Sequence, residues 1–119
     1  MAYQRGDMLL VPFPYSDLST TKVRPAVVVS SALYHSSEPD LILAAITSKV
    51  ATATGALDYI LLDWQTAGLR HPSALKPVLF TLDPVRVLHS IGSLSNRDAI
   101  AVDQRLRLAL ELPLPPHIV

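Results

Sequence analysis

Two short apolar runs separated by a polar segment constrain the fold of this chain more than any other feature. The runs are Met8–Val11 and Ala26–Val29, and the hydroxyl-rich segment between them ends in Lys-Val-Arg-Pro at 22–25. Runs of this length and valine content are typical of buried strands. Because proline lacks the N–H that a strand ladder needs, Pro12 and Pro14 are expected to end the first strand. The pattern predicts a strand, a polar loop and a second strand, with Arg24 where the loop re-enters the sheet.

The rest of the chain continues as short strands followed by one helix. Four further strands are predicted at Leu41–Ile46, Tyr59–Leu62, Leu75–Leu82 and Val85–Leu94. Pro77 is expected to mark an edge or a bulge. Asp63 is expected to cap one helical turn that Gly68 closes. This pattern predicts a mainly β (β-rich α+β) fold, a small, twisted, largely antiparallel barrel or sheet.

The predicted C-terminal helix runs from Asn96 to about Glu111. Ser95 is a fitting N-cap, and Asp98 stands at the third helical position, as in a capping box. Residues 112–119 contain three prolines and cannot be helical. They are read as a proline-stiffened tail packed on a partner.

The composition bounds the class of protein. With 119 residues, the chain is predicted to be one domain, 1–119, and its 50% hydrophobic content makes disorder implausible. Such an apolar small domain is expected to oligomerise. The formal net charge is zero, so any nucleic-acid site must be a local cluster of cations. The absence of cysteine excludes disulfides and thiolate zinc sites, and the absence of a long apolar window predicts a cytoplasmic protein with no membrane contact.

Arg24 and Thr47 are the candidates for chemistry. An arginine at the junction of a loop and a strand can hold a phosphate with its planar five-donor guanidinium, and the alternative is an ion pair with Asp7 or Asp17. Thr47 ends the third strand, where its hydroxyl either donates to phosphate or caps the following turn. If the second and third strands are antiparallel neighbours, both residues share one cleft.

The remaining candidates form a possible lining for an RNA backbone. The lysines Lys22, Lys49 and Lys76 are either this lining or ordinary solvated surface. Phe13 and Trp64 are expected to pack in the core rather than to stack on bases. The four histidines form no metal-binding pattern, so neither a metal nor another cofactor is predicted.

Several motifs resemble those of the MazF/PemK (Kid) toxin family, and the resemblance spans Arg5 to Leu110. It is carried by Arg5-Gly6-Asp7, Val-Pro-Phe-Pro at 11–14, Lys-Val-Arg-Pro-Ala-Val-Val-Val at 22–29, Ala-Ala-Ile-Thr-Ser at 44–48, Phe-Thr-Leu-Asp at 80–83 and Ile-Gly-Ser-Leu-Ser at 91–95. It implies an SH3-like barrel with a C-terminal helix, forming a homodimer. It also implies a toxin that a cognate antitoxin inhibits, with operator DNA bound only through the antitoxin complex.

The resemblance further implies a metal-independent endoribonuclease that cuts single-stranded RNA at short sequences. The 2′-hydroxyl of the RNA would attack the phosphate, leaving a 2′,3′-cyclic phosphate and a 5′-hydroxyl. Arg24 and Thr47 take the positions of the family's catalytic residues, and charge stabilisation is the role expected of Arg24. The residues expected to bind RNA around them are Ser16, Ser19, Lys22, Ser48, Lys49 and Lys76.

Two departures from the family leave the general base unassigned. Some members carry an acidic residue near the position of Pro77, and others carry a histidine in the first loop, where this chain has Leu18-Ser19. Two alternatives therefore stand beside the ribonuclease. One is a protein of the gyrase-inhibitor type, which poisons a protein target on the same barrel. The other is a degenerate member that binds an antitoxin or DNA without catalysis.

Overall fold

A six-stranded antiparallel sheet dominates the computed structural model, which describes residues 2–13 and 22–113. The strands are β1 (Asp7–Phe13), β2 (Lys22–Val28), β3 (Leu41–Thr47), β4 (Tyr59–Ile60), β5 (Ala74–Leu82) and β6 (His89–Ser93). The helices are α1 (Ala32–Ser37) and α2 (Asn96–Leu110), and 3₁₀ turns lie at Val50–Thr52 and Pro84–Arg86. The strand order is β4-β5-β3-β2-β1-β6. The mainly β class with a C-terminal helix is therefore confirmed.

Strand β1 does not end at the first proline, so that prediction is wrong. Pro12 pairs with Val23, and the strand continues to Phe13. Strand β6 pairs β1 only from Asp7 to Leu10, so Pro12 has a neighbouring strand on one side alone. Proline is tolerated in such an edge-like position when its nitrogen faces the side that has no neighbouring strand. Pro14 lies outside the described residues.

The predicted bulge at Pro77 is present. Strand β3 pairs Ala44 with Leu79 but Ile46 with Leu75, so β5 advances four residues where β3 advances two. The longer stretch, on β5, includes Lys76 and Pro77. A bulge bends its strand and re-aims the side chains beside it, which here turns Lys76 toward the cleft described below.

The sheet buries apolar side chains on both faces. On β1 and β2, Met8 and Val27 belong to the cluster that Leu106 of α2 covers, whereas Leu9 and Ala26 belong to a second cluster. This alternation follows from the two-residue period of a strand. Helix α2 contributes Val102 and Leu106 to the first cluster, which docks the helix on that face.

The N-terminus of α2 is fixed by Asp98 through contacts that a capping box does not contain. The Ser95 hydroxyl accepts from the Asp98 N–H at 3.3 Å, as predicted. The Asp98 carboxylate, which is fully buried, instead accepts from Leu62 N (3.0 Å), Asp63 N (2.8 Å) and the Tyr59 hydroxyl (2.6 Å). Burial, and then this hydrogen bond to Asp98, raise the pKa of Tyr59 to about 12. Asp98 therefore ties the helix to the segment after β4.

Residues 63–68 form a hydrogen-bonded turn, in which Ala67 N donates to Asp63 O at 3.2 Å. Gly68 closes it at φ +83°, as predicted. The expected side-chain cap is wrong, because the Asp63 carboxylate accepts from Ser95 (2.6 Å) and from Arg97 (2.7 Å twice). The hydrogen bonds from Arg97, and then from Ser95, lower the pKa of Asp63 to about 2.

Close backbone packing holds this turn against β6. A Cβ atom built on Gly68 would lie 1.8 Å from the carbonyl oxygen of Ile91, and one on Gly92 would lie 2.5 Å from the carbonyl of Ala67. Glycine is therefore required at both positions for the two backbones to approach. The contact fixes where the chain continues after Gly68.

Helix α2 ends at Leu110, followed by Glu111 in the left-handed region at φ 55°. The predicted tail lies outside the described residues from 114 onward. Within 2–13 and 22–113, neither helix is long and apolar enough to cross a membrane.

Candidate active site

A groove of about 750 Å³ opens where β2, β3 and β5 meet the loop that precedes β5. Its polar lining comprises Arg24, Thr47, Ser48, Lys49, Arg70, His71, Ser73 and Lys76. Its apolar lining comprises Leu10, Phe13, Val23, Pro25, Ala45, Ile46, Leu69 and Ile91, with the backbone of Gly68. Five separate parts of the sequence therefore converge on one cleft.

Arg24 and Thr47 lie in this groove together, as the reasoning on antiparallel neighbours predicts. Strands β2 and β3 are adjacent, with Ala26 opposite Ala45. Continuing that register by two residues on each strand places Arg24 opposite Thr47. Because side chains two apart on a strand share a face, Arg24 and Thr47 lie on the same face of the sheet as Ala26 and Ala45. Both side chains are half-buried. The arrangement suits a ligand held between a guanidinium and a hydroxyl.

The Thr47 hydroxyl takes the capping role that was considered for it. Its oxygen accepts from the N–H of Lys49 at 3.1 Å and so caps the turn after β3. A hydroxyl that accepts one hydrogen bond still carries its own O–H donor. The cap fixes the oxygen, and the donor stays available to an anion in the groove.

Arg24 does not form the alternative ion pair with Asp7. The Asp7 carboxylate accepts from the backbone N–H of Gln4 at 2.8 Å, and the ion pairs between described residues do not include Arg24. Asp17, the other partner considered, lies outside the described residues.

The predicted RNA-binding residues divide into three groups. Ser48 and Lys49 are exposed and line the groove. Lys76 also lines it, but its ammonium group donates to Asp58 at 2.6 Å. Lys22 is exposed at the start of β2 and is not part of the lining. Ser16 and Ser19 lie outside the described residues.

The Lys76–Asp58 pair is partly removed from solvent. The Asp58 side chain is only 3% exposed, and that of Lys76 is 36% exposed. The hydrogen bond from Lys76 is the first cause that lowers the pKa of Asp58, and burial opposes it. Lys76 therefore brings less net positive charge to the groove than Lys49 does.

Arg70, His71 and Ser73 are the polar groove residues that the sequence did not predict. They follow the turn that closes at Gly68, and the backbone there is anchored twice. The Ser73 hydroxyl donates to the His71 carbonyl at 2.8 Å, and Leu61 N donates to the Ser73 carbonyl at 2.9 Å. The sequence held one hint of these residues, an Arg-His pair before Pro72 between a turn and a strand. Only the pairing of β5 with β3 shows that this pair lies close to Thr47.

The groove is cationic although the chain has no net charge. Arg24, Lys49, Arg70 and Lys76 line it, and no carboxylate does so among the described residues. A cleft lined by one sign of charge concentrates ligands of the opposite sign. The arrangement therefore suits a phosphodiester.

Phe13 and Trp64 pack as the sequence analysis expects. Phe13 is 7% exposed, and its ring centroid lies 4.6 Å from that of Phe80. Trp64 is half-buried against the α2 side of the core. Neither ring stands as a free stacking platform.

Solved structures share this fold over nearly the whole chain. An endoribonuclease in complex with its cognate antitoxin from a mycobacterial species superposes with a TM-score of 0.73 at 17% identity, covering 96% of this chain and 100% of that one. MazF in the MazE–MazF complex of Deinococcus radiodurans gives 0.73 at 18% identity, covering 93% and 97%. The Mycobacterium tuberculosis toxin MazF-mt6 gives 0.71 at 16% identity, covering 91% and 99%. At these identities the likeness concerns the fold.

Family membership comes from the sequence itself. No curated protein matches the chain. A family model does match, over residues 4–110, and it describes the PemK-like, MazF-like toxin of type II toxin–antitoxin systems. The match includes every described residue of the groove and confirms the resemblance read from the motifs. The chain belongs to the PemK-like, MazF-like toxin family of type II toxin–antitoxin systems.

Proposed function

We propose that this protein is an endoribonuclease toxin that cleaves single-stranded RNA at selected sequences without a metal ion. The observation that carries the proposal is the shared groove of Arg24 and Thr47, whose described lining holds four cationic side chains and no carboxylate. Family membership supports the toxin role, and one protein of the same fold is an endoribonuclease.

The proposed reaction uses the RNA as its own nucleophile. The 2′-oxygen forms a bond to phosphorus while the bond from phosphorus to the 5′-oxygen breaks, which yields a 2′,3′-cyclic phosphate and a 5′-hydroxyl. Negative charge grows on the non-bridging oxygens in the transition state. A guanidinium and a hydroxyl donor fixed beside those oxygens stabilise that charge more than they stabilise the substrate. Arg24 and Thr47 are assigned this role.

The shape of the groove favours unpaired RNA. Apolar side chains, among them Leu10, Leu69 and Ile91, lie beside the cationic ones in a cleft of about 750 Å³. Single-stranded RNA can splay its bases into such a cleft, whereas the bases of a duplex are stacked and paired. Selectivity for short sequences would follow from which bases fit the apolar part of the groove.

The test is cleavage of a long mixed-sequence single-stranded RNA in the presence of EDTA. We expect Arg24→Ala and Thr47→Val each to lower the rate by roughly 10²–10³, the usual cost of removing one donor to a developing anion. Arg86→Ala is the matched control, because Arg86 is an exposed arginine outside the groove. After the cut site is mapped, an oligonucleotide with a 2′-deoxy nucleotide there should stay intact.

Two results would overturn the proposal. One is cleavage by Arg24→Ala at the wild-type rate, with contaminating nuclease excluded by a mock purification from cells that do not express the toxin. The other is growth inhibition by the wild-type protein with all RNA left uncut, which would favour a protein target.

We further propose that the toxin works in the cytoplasm as a homodimer and is silenced by a cognate antitoxin, whose complex binds operator DNA. Several large apolar side chains stay exposed, among them Leu62, Ile100 and Leu108 at 59–65% exposure. Their exposure supports burial against a partner. Antitoxin complexes of two proteins with this fold support the inhibitor. Light scattering on the purified toxin tests the dimer, and co-expression with the neighbouring reading frame tests the antitoxin.

A further inference from the structure

We propose that His71 is the general base that takes the proton from the attacking 2′-hydroxyl. This inference rests on the proposed ribonuclease function. It supplies the group that the sequence leaves unassigned at Pro77 and in the first loop.

The position of His71 is the first argument. It lines the same groove as Arg24 and Thr47, on the loop that leads into β5. Its side chain is exposed, and within residues 2–13 and 22–113 its ring takes part in none of the side-chain hydrogen bonds or ion pairs. The imidazole is therefore able to meet a ligand rather than being committed to the core.

The second argument concerns the other groups that face the groove. Arg24 on β2, Lys49 after β3, Lys76 on β5 and Arg70 on the same loop are cationic, and β6 contributes only Ile91. A protonated arginine or lysine has no lone pair with which to accept a proton. Among the titratable side chains of the described lining, the imidazole of His71 is the one whose neutral form offers a ring nitrogen lone pair to a proton.

The carboxylate that pairs with the groove residue Lys76 is already engaged. Asp58 accepts from the ammonium group of Lys76 at 2.6 Å and from Gly55 N at 2.9 Å, and its side chain is 3% exposed. It does not line the groove. A carboxylate held in this way reaches a bound RNA only if the ion pair breaks.

The loop that carries His71 is also held in place before substrate binds. Gly68 packs on the Ile91 carbonyl, and the Ser73 hydroxyl donates to the His71 carbonyl at 2.8 Å. Anchors on both sides of a catalytic side chain reduce the reorganisation needed in the transition state.

The proton balance of the step is closed. A neutral ring nitrogen of His71 accepts the 2′-hydroxyl proton as the 2′-oxygen bonds to phosphorus. The 5′-oxygen leaves with the electrons of the broken bond and takes a proton from water. The imidazolium then returns its proton to solvent, so neither a metal nor a co-reactant is consumed.

The experiment is a pH–rate profile for cleavage of the mapped oligonucleotide by wild type, His71→Gln and His71→Ala. General-base catalysis predicts a loss of about 10²–10⁴ in rate for both variants. It also predicts that the acidic limb of the profile, where the base becomes protonated, disappears with the ring. Added imidazole should restore His71→Ala in proportion to its concentration. His89→Gln is the control, because His89 is exposed on β6 outside the groove.

The outcomes separate this inference from the proposed function. An unchanged acidic limb in His71→Gln, or a slow His71→Ala that imidazole does not accelerate, would overturn the role of His71 while Arg24→Ala still tests the ribonuclease. A wild-type protein that cuts no RNA would overturn both. Loss of the limb together with imidazole rescue would establish the base.

Discussion

Replacing Asp98 with asparagine tests how the helix is joined to the sheet. In the native protein Oδ1 accepts from Tyr59 and from Leu62 N, and Oδ2 accepts from Asp63 N. An asparagine keeps one acceptor oxygen and replaces the other with an NH₂ group. In either orientation of the amide, at least one of the two backbone N–H groups faces a donor instead of an acceptor.

The cost follows from this change in hydrogen bonding. A buried donor left without an acceptor costs about 1–3 kcal/mol, and bonds to a charged acceptor weaken by about 1 kcal/mol when it becomes neutral. Removing a buried charge offsets part of this loss. We therefore expect Asp98→Asn to lower the free energy of unfolding by about 2–4 kcal/mol, which for a domain of this size shifts Tm by roughly 8–16 °C.

Thermal unfolding at neutral pH and fixed protein concentration measures the effect, since Tm of an oligomer depends on concentration. Asp103→Asn is the matched control on the same helix, because Asp103 is 41% exposed and pairs with Arg5 at the surface. It should cost less than about 1 kcal/mol. Equal Tm values for the two variants would refute the assignment of Asp98 as the joint between α2 and the segment after β4.

Two further predictions concern the turn beside the groove. In urea unfolding, Gly68→Ala should lower the free energy of unfolding by about 3 kcal/mol or more, and the matched variant Gly6→Ala should lower it by about 1 kcal/mol. Both glycines have positive φ, but only Gly68 lies against the Ile91 carbonyl. Equal losses for the two variants would contradict the close packing. The hydrogen bond from Arg97 is the main cause that lowers the pKa of Asp63 to about 2. The ionised Asp63 therefore stabilises the fold fully above the ordinary carboxyl pKa of about 3.9, and this stabilisation is lost as the pH falls toward 2. Asp63→Asn should therefore lower Tm at neutral pH and flatten the fall of Tm in acid, and an unchanged acid dependence would count against the pair.

The sequence by itself determined the local elements and the family. Valine-rich runs of strand length, the Ser95 cap and the Gly68 turn depend on residues close in sequence, and each is present in the fold. Arg24 and Thr47 were found because their strands are consecutive in the predicted sheet. A single antiparallel pairing then sufficed to place them together.

Only the tertiary structure decided which distant residues join them. Lys76 lies 18 residues from Asp58, and their 2.6 Å contact changes the charge that Lys76 brings to the groove. Pro12 stays in its strand because β6 stops short of it. His71 and Arg70 reach the groove because β5 pairs with β3 and because Gly68 packs on β6. These outcomes depend on strand order and backbone approach across the sheet, which the spacing of residues along the chain does not encode.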